Sequence, residues 1–147
     1  MNTLIIGSGG REHAFAIEIA KNKKCKSLFV APGNAGTATI ATNLPHIKVN
    51  DFKEIEQAVL ENEIQMVVVG PEVPLVEGIV DYFKEKDSLK HVKIIGPSQK
   101  AAQLEGSKAF AKDFMERYNI PTAAYRAFTK ETIADGEAFL ETLEAPY

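Results

Sequence analysis

Leu4-Ile5-Ile6-Gly7-Ser8-Gly9-Gly10-Arg11-Glu12-His13-Ala14-Phe15-Ala16 sets an apolar run, a glycine turn and a second apolar stretch in succession. Three apolar residues stopped by glycine read as a buried strand, and the nearly all-apolar residues 13–20 as a helix. A glycine turn between strand and helix offers free backbone N–H groups and the positive end of the helix dipole to an anion. Glycine lets the main chain approach a phosphate closely, and Arg11 adds a planar fork of donors. A tight turn with no ligand has the same local pattern, so the turn alone leaves that reading open.

Outward from this turn, three more short apolar runs end at glycine or proline. Leu28-Phe29-Val30-Ala31 stops at Pro32-Gly33, Met66-Val67-Val68-Val69 at Gly70-Pro71, and residues 92–95 at Gly96-Pro97. Continuous β-branched runs without alternation fit strands covered on both faces, as in a parallel sheet. Helical faces lie between them. Phe52, Ile55 and Val59 recur at helical spacing after Asp51, an N-cap with Glu54 three residues on, and Ile79, Val80 and Phe83 form another face. The expected fold is therefore α/β, a Rossmann-like parallel sheet with helices on both faces and right-handed crossovers.

The order changes after Gly96-Pro97-Ser98. Helices are expected over 99–104 and 108–118, the second with Phe110, Phe114 and Tyr118 on one stripe and a stop at Asn119-Ile120-Pro121. A short strand over 125–128 and a helix over 129–143 follow. This tail is too small for a domain of its own and reads as the opening of a second one. The expected division is 1–102 and 103–147, with the apolar faces around Phe110, Phe114, Leu140 and Leu143 left under-covered, mobile or used in self-association.

Composition bounds the partners. With 45% hydrophobic and 25% charged residues the chain can bury a core, and a net charge of −3 argues against general nucleic-acid binding. The single cysteine, Cys25, cannot form an intrachain disulfide or a cysteine metal cluster, and beside Lys21, Lys23 and Lys24 it is expected to be structural. His46 and His91 have no neighbouring second ligand, so a metal site there is not expected. No apolar run approaches the length of a secretory core or membrane span, which points to a cytoplasmic protein without a membrane partner.

Two nucleotide motifs fail at this turn. The dinucleotide fingerprint needs a third glycine where Glu12 stands, and an acidic residue at the end of the second strand, where Ala31-Pro32-Gly33-Asn34 stands. A Walker A loop needs a Gly-Lys-Ser/Thr that is absent. Two more loops leave strand carboxyl ends, where open α/β sheets bind ligands: Ala31-Pro32-Gly33-Asn34-Ala35-Gly36 and Gly70-Pro71-Glu72-Val73-Pro74-Leu75. On spacing alone Glu72 reads equally as an exposed loop glutamate or as a rigidly held acceptor for sugar hydroxyls. Lys108 alone reads as a solvated lysine at a helix start.

Gly7-Ser8-Gly9-Gly10-Arg11-Glu12-His13, Ala31-Pro32-Gly33-Asn34-Ala35-Gly36-Thr37, Val69-Gly70-Pro71-Glu72-Val73-Pro74-Leu75 and Gln103-Leu104-Glu105-Gly106-Ser107-Lys108-Ala109-Phe110 stand in order along the chain. Together they resemble the amino-terminal part of the phosphoribosylamine–glycine ligase family, the glycinamide ribonucleotide synthetases of the ATP-grasp superfamily. The resemblance implies a Rossmann-like substrate domain followed by the start of an ATP-grasp domain. It implies an ATP-dependent ligase of purine synthesis: ATP converts glycine to glycyl phosphate, and the amine of 5-phosphoribosylamine attacks it. The products are N1-(5-phosphoribosyl)glycinamide, ADP and phosphate, with Mg2+ or Mn2+ bridging the nucleotide phosphates.

In that frame Gly9, Gly10, Arg11, His13, Asn34, Pro71 and Glu72 would line the phosphoribosylamine site. The 5′-phosphate is expected on the Gly9-Gly10 backbone and the ribose hydroxyls on Glu72. Lys108 matches the family's first nucleotide-contacting lysine. Catalytic residues and the main metal ligands are expected outside this chain, because family members continue past Pro146-Tyr147 into a glycine-rich lid and acidic metal ligands. The chain alone is expected not to turn over. A non-catalytic sugar-phosphate or nucleotide-binding module is the alternative.

Overall fold

The computed structural model describes residues 1–144 and falls into two compact units, one spanning Met1–Gly106 and a second beginning at Ser107. The expected boundary at residue 102 falls inside a helix of the first unit, Gln99–Gly106.

The first unit runs β1 (Asn2–Gly7), α1 (Gly10–Ala20), β2 (Ser27–Pro32), a 3-10 turn (Thr37–Thr39), β3 (Thr42–Asn43), α2 (Phe52–Glu61), β4 (Ile64–Val69), α3 (Glu72–Val76), α4 (Ile79–Glu85), a second 3-10 turn (Asp87–Leu89), β5 (Lys93–Ile95) and α5 (Gln99–Gly106). All strand pairings are parallel and the sheet order is β3-β2-β1-β4-β5. The chain steps outward from β1 on one side and then the other, the doubly wound pattern expected from the alternation of runs.

Strand alternation splits the apolar residues between two cores. Leu4, Ile6, Val67 and Val69 face Ile55, Val59, Ile79, Val80 and Phe83 of α2 and α4, while Ile5 and Val30 face Ala16 of α1. Residues on both sides of β1 are fully enclosed, so its run shows no polar alternation. Asp51 caps α2 as expected, its carboxylate accepting from Glu54 N–H at 3.1 Å. Cys25 packs against the smaller core, consistent with a structural role.

In the second unit α6 (Lys108–Arg117) is capped by Ser107, whose hydroxyl accepts from Phe110 N–H at 3.2 Å. The Lys112 ammonium donates to Thr122 Oγ1 at 2.7 Å and to the Ala123 carbonyl at 3.0 Å, tying the following segment back to α6. α7 (Ile133–Leu140) is shorter than the expected 129–143. Its Phe139 packs on Phe128 with ring centroids 5.8 Å apart. No strand forms over 125–128 among the described residues. A strand needs a hydrogen-bonding partner, and among the described residues this unit contains only the helices α6 and α7. Phe110 and Leu140 are exposed, while Phe114 and Leu143 are half-buried. The terminal Ala145-Pro146-Tyr147 lies outside the described residues.

Candidate functional site

The glycine turn joins the carboxyl end of β1 to α1. Gly7 closes the strand at φ +130°, a backbone region that favours glycine. Gly9 caps the helix, and its N–H donates to Glu12 Oε2 at 2.6 Å. This is half of a capping box, with the glutamate three residues beyond the cap reaching back. Glu12 is only 5% exposed and lies beneath the turn. A Cβ on Gly7 would come within 2.6 Å of Glu12 Cδ, and one on Gly70 within 2.2 Å of Glu12 Oε1. Glycine at both strand ends therefore makes room for one buried carboxylate. The residue that breaks the dinucleotide pattern fills the space where that pattern would bring helix and strand together.

The loop after β2 is fixed to the turn by Asn34. Its Nδ2 donates to the Ser8 carbonyl at 2.8 Å and to the Gly9 carbonyl at 3.2 Å, and its Oδ1 accepts from Thr37 N–H at 3.0 Å. Thr37 is fully buried, its hydroxyl accepting from Asn34 N–H at 2.8 Å and donating to Asn43 Oδ1 at 2.8 Å. Asn43 Nδ2 donates in turn to the Asn34 carbonyl at 2.8 Å. Both N–H groups of the Asn34 carboxamide are thus committed to the turn. Asn34 positions the site instead of offering those donors to a ligand.

Arg11 links the turn to the third loop. Its guanidinium donates to the Gly70 carbonyl at 3.0 Å, joining residues 59 apart in sequence. His13 packs its ring on the β2 loop, where a Cβ on Gly36 would come within 2.4 Å of Cε1. Pro71 caps α3 and Glu72 is its first residue, exposed to solvent. The expected proline-rich loop is therefore a short helix. Pro74 fits it because first-turn N–H groups have no intrahelical acceptor.

Gly9, Gly10, Arg11, His13, Asn34, Pro71 and Glu72 thus gather at the carboxyl ends of β1, β2 and β4, the ligand-binding end of an open α/β sheet. The N–H groups of Gly10, Arg11 and Glu12 lie in the first turn of α1 and have no intrahelical acceptor. With the Arg11 guanidinium they can hold an anion. The expectation of two glycine amides on the phosphate is narrowed, because the Gly9 amide donates inward. Sequence reasoning missed Glu12 as a buried support, and Thr37 and Asn43 altogether. The three-residue spacings Gly9–Glu12 and Asn34–Thr37 were the available signals.

Lys108 is exposed at the first position of α6, in the second unit. Among the described residues no group of three or more His, Cys, Asp or Glu side chains is placed to hold a metal ion. No described helix is long and apolar enough to cross a membrane. A groove of about 410 Å³ beside Asn2, Lys26, Gln65 and His91 opens at the amino ends of the strands, away from these loops. On the α2–α4 side, Glu56 accepts from Ser88 Oγ at 2.6 Å and from Tyr82 Oη at 2.5 Å. The two bonds hold the Glu56 carboxyl below its usual range, the Ser88 bond contributing most. The Glu56 bond pushes the Tyr82 phenol up to about 12.

The sequence profile of the phosphoribosylglycinamide synthetase N domain matches residues 1–105. The chain is 50% identical over 148 aligned positions to a phosphoribosylamine–glycine ligase of Pseudomonas aeruginosa, covering 99% of this chain and 33% of that protein. It is 53% identical over 131 positions to the Vibrio vulnificus ligase, covering 88% and 29%. A crystal structure of the Thermotoga maritima phosphoribosylamine–glycine ligase superposes with a TM-score of 0.62 at 30% identity, covering 95% of this chain and 30% of that one. The chain spans about a third of the length of the curated relatives it matches.

Proposed function

This chain belongs to the phosphoribosylglycinamide synthetase family, and on that premise we propose that it supplies the 5-phosphoribosylamine-binding portion of an ATP-dependent ligase of purine synthesis. The reaction is the joining of glycine to 5-phosphoribosylamine through a glycyl phosphate, with ATP and Mg2+ or Mn2+ as the energy source and its counter-ion. The steps assigned to this chain are binding and orientation of the sugar phosphate.

The observation that carries the reading is the convergence of three family loops at one end of the sheet, tied together by Arg11 to Gly70 and by Asn34 to Ser8 and Gly9. The 5′-phosphate sits on the Gly10 and Arg11 amides at the start of α1, with the Arg11 guanidinium beside it. Glu72, the first residue of α3 just beyond Pro71 and the end of β4, accepts from the ribose hydroxyls. His13 and Gly36 wall the β2 side. Pre-formed loops of this kind lower the ordering cost of binding. The unit beginning at Ser107 opens the ATP-grasp domain, and Lys108 there reaches for the nucleotide phosphates. The chain alone binds without turning over.

Isothermal titration of the 147-residue chain with glycinamide ribonucleotide tests this. Saturable heat is expected, weakened about tenfold or more by Glu72→Ala. A folded chain that releases no heat at millimolar ligand would refute the reading.

A further inference from the structure

We propose that Glu12 determines the anion specificity of the turn: by withdrawing the Gly9 amide it holds the site to a single phosphate monoester and excludes pyrophosphate-bearing ligands. The inference rests on the reading that this turn takes a sugar phosphate, and goes further by naming the residue that rejects the alternative.

Gly7 and Gly9 match the first two positions of the dinucleotide fingerprint, and Glu12 stands at the third. In that fingerprint the second glycine exposes its backbone to the pyrophosphate, and the third lets the helix pack close to the strand. Here both features are inverted. The Gly9 N–H points into the protein and donates to Glu12 Oε2 at 2.6 Å. The Glu12 side chain, 5% exposed, fills the gap between Gly7 and Gly70. A second phosphate laid across Gly9 would meet an amide already spent, with a carboxylate one hydrogen bond behind it. Charges in so enclosed a setting are weakly screened, and like charges brought together are costly.

Two neighbours keep the amide turned inward. Asn34 Nδ2 holds the Ser8 and Gly9 carbonyls from the other side, which opposes rotation of the peptide planes. Arg11 is drawn toward the Gly70 carbonyl, so its charge lies on the β4 side of the turn. The first-turn amides of α1 that remain suffice for one terminal phosphate.

The test is isothermal titration of the 147-residue chain with glycinamide ribonucleotide, a monoester, and ADP-ribose, a pyrophosphate. The wild-type chain should favour the monoester by roughly tenfold or more. Glu12→Gly completes a Gly-x-Gly-x-x-Gly turn and frees the Gly9 amide. Its preference should fall by about tenfold, through gained ADP-ribose affinity. Glu12→Gln removes the charge while retaining an oxygen for the cap, and should lose roughly threefold of the preference. Circular dichroism verifies folding of each variant. A residue serving only as a structural cap would lower the melting temperature of Glu12→Gly and leave the ratio of affinities unmoved. An unchanged ratio in Glu12→Gly, or in Glu12→Gln should the glycine variant not fold, overturns the proposal. Equal wild-type affinity for the two ligands overturns it alone. A wild-type chain that binds neither removes the sugar-phosphate reading and this inference with it.

Discussion

Gly70→Ala should damage the protein through a residue far away in sequence. The added methyl would lie 2.2 Å from Oε1 of Glu12 and 2.6 Å from its Cδ and Cγ. A glutamate tip usually swings aside at little cost, but this one is enclosed. It is 5% exposed, bonded to Gly9 at 2.6 Å and bordered by Gly7 on its other side. Moving it breaks a charge-assisted bond of about 1.5–3 kcal/mol and strands the Gly9 N–H. Holding it in place overpacks the junction at about 1–3 kcal/mol. The two costs are alternatives more than additions, so the expected destabilisation is about 1–3 kcal/mol, a large share of a domain's stability. The chain has no tryptophan, so urea unfolding is followed by far-ultraviolet circular dichroism. The decisive form is a double-mutant cycle. In a Glu12→Ala background the methyl enters vacated space, and Gly70→Ala should cost less than about 1 kcal/mol. Equal costs in the two backgrounds would refute the wedge argument.

Other substitutions probe the supports of the same site. Asn34→Ala removes the bonds to Ser8, Gly9 and Thr37 and should cost about 1.5–3 kcal/mol in urea unfolding. Asn34→Asp should cost more, since a carboxylate would face the Ser8 and Gly9 carbonyls with no N–H to give. Thr37→Val keeps the shape and strands the partners of a buried hydroxyl, at about 1–3 kcal/mol by the same assay. Far from the site, the lowered Glu56 pKa means that the folded state favours its carboxylate. That contribution is present above the ordinary carboxylate pKa of about 4.3 and lost as pH falls through the lower folded value. Glu56→Gln should therefore flatten the acid limb of a stability–pH curve.

What was legible in the sequence followed from burial. β1, β2 and β4 were visible because burial makes their central runs apolar, the edge strand β5 because Ile94 and Ile95 stop at Gly96 although Lys93 and Ile95 are exposed, and α2 because Asp51 announces its start. β3 was not, since Thr42 and Asn43 are polar and are strand only through pairing with Phe29 and Val30. α3 was hidden by Pro71 and Pro74, which read as a loop until their place in the first turn is known. The strand expected at 125–128 shows the converse: aromatic residues carry β propensity but not a partner. At the site, each loop was found from its own residues. The contacts that join them, Glu12 beneath Gly70 and Arg11 on the Gly70 carbonyl, connect residues too distant for any local pattern to reveal.

A sugar-phosphate half-site on three loops at one end of the sheet should respond to its ligand at those loops alone. The most direct measurement is a titration of the uniformly 15N-labelled 147-residue chain with glycinamide ribonucleotide, followed by amide chemical shifts. Saturable shifts are expected at Gly10, Arg11, Gly36 and Glu72, with Lys26, Gln65 and His91 at the opposite end unmoved. Shifts centred on that opposite end, or none from a folded chain, would contradict it.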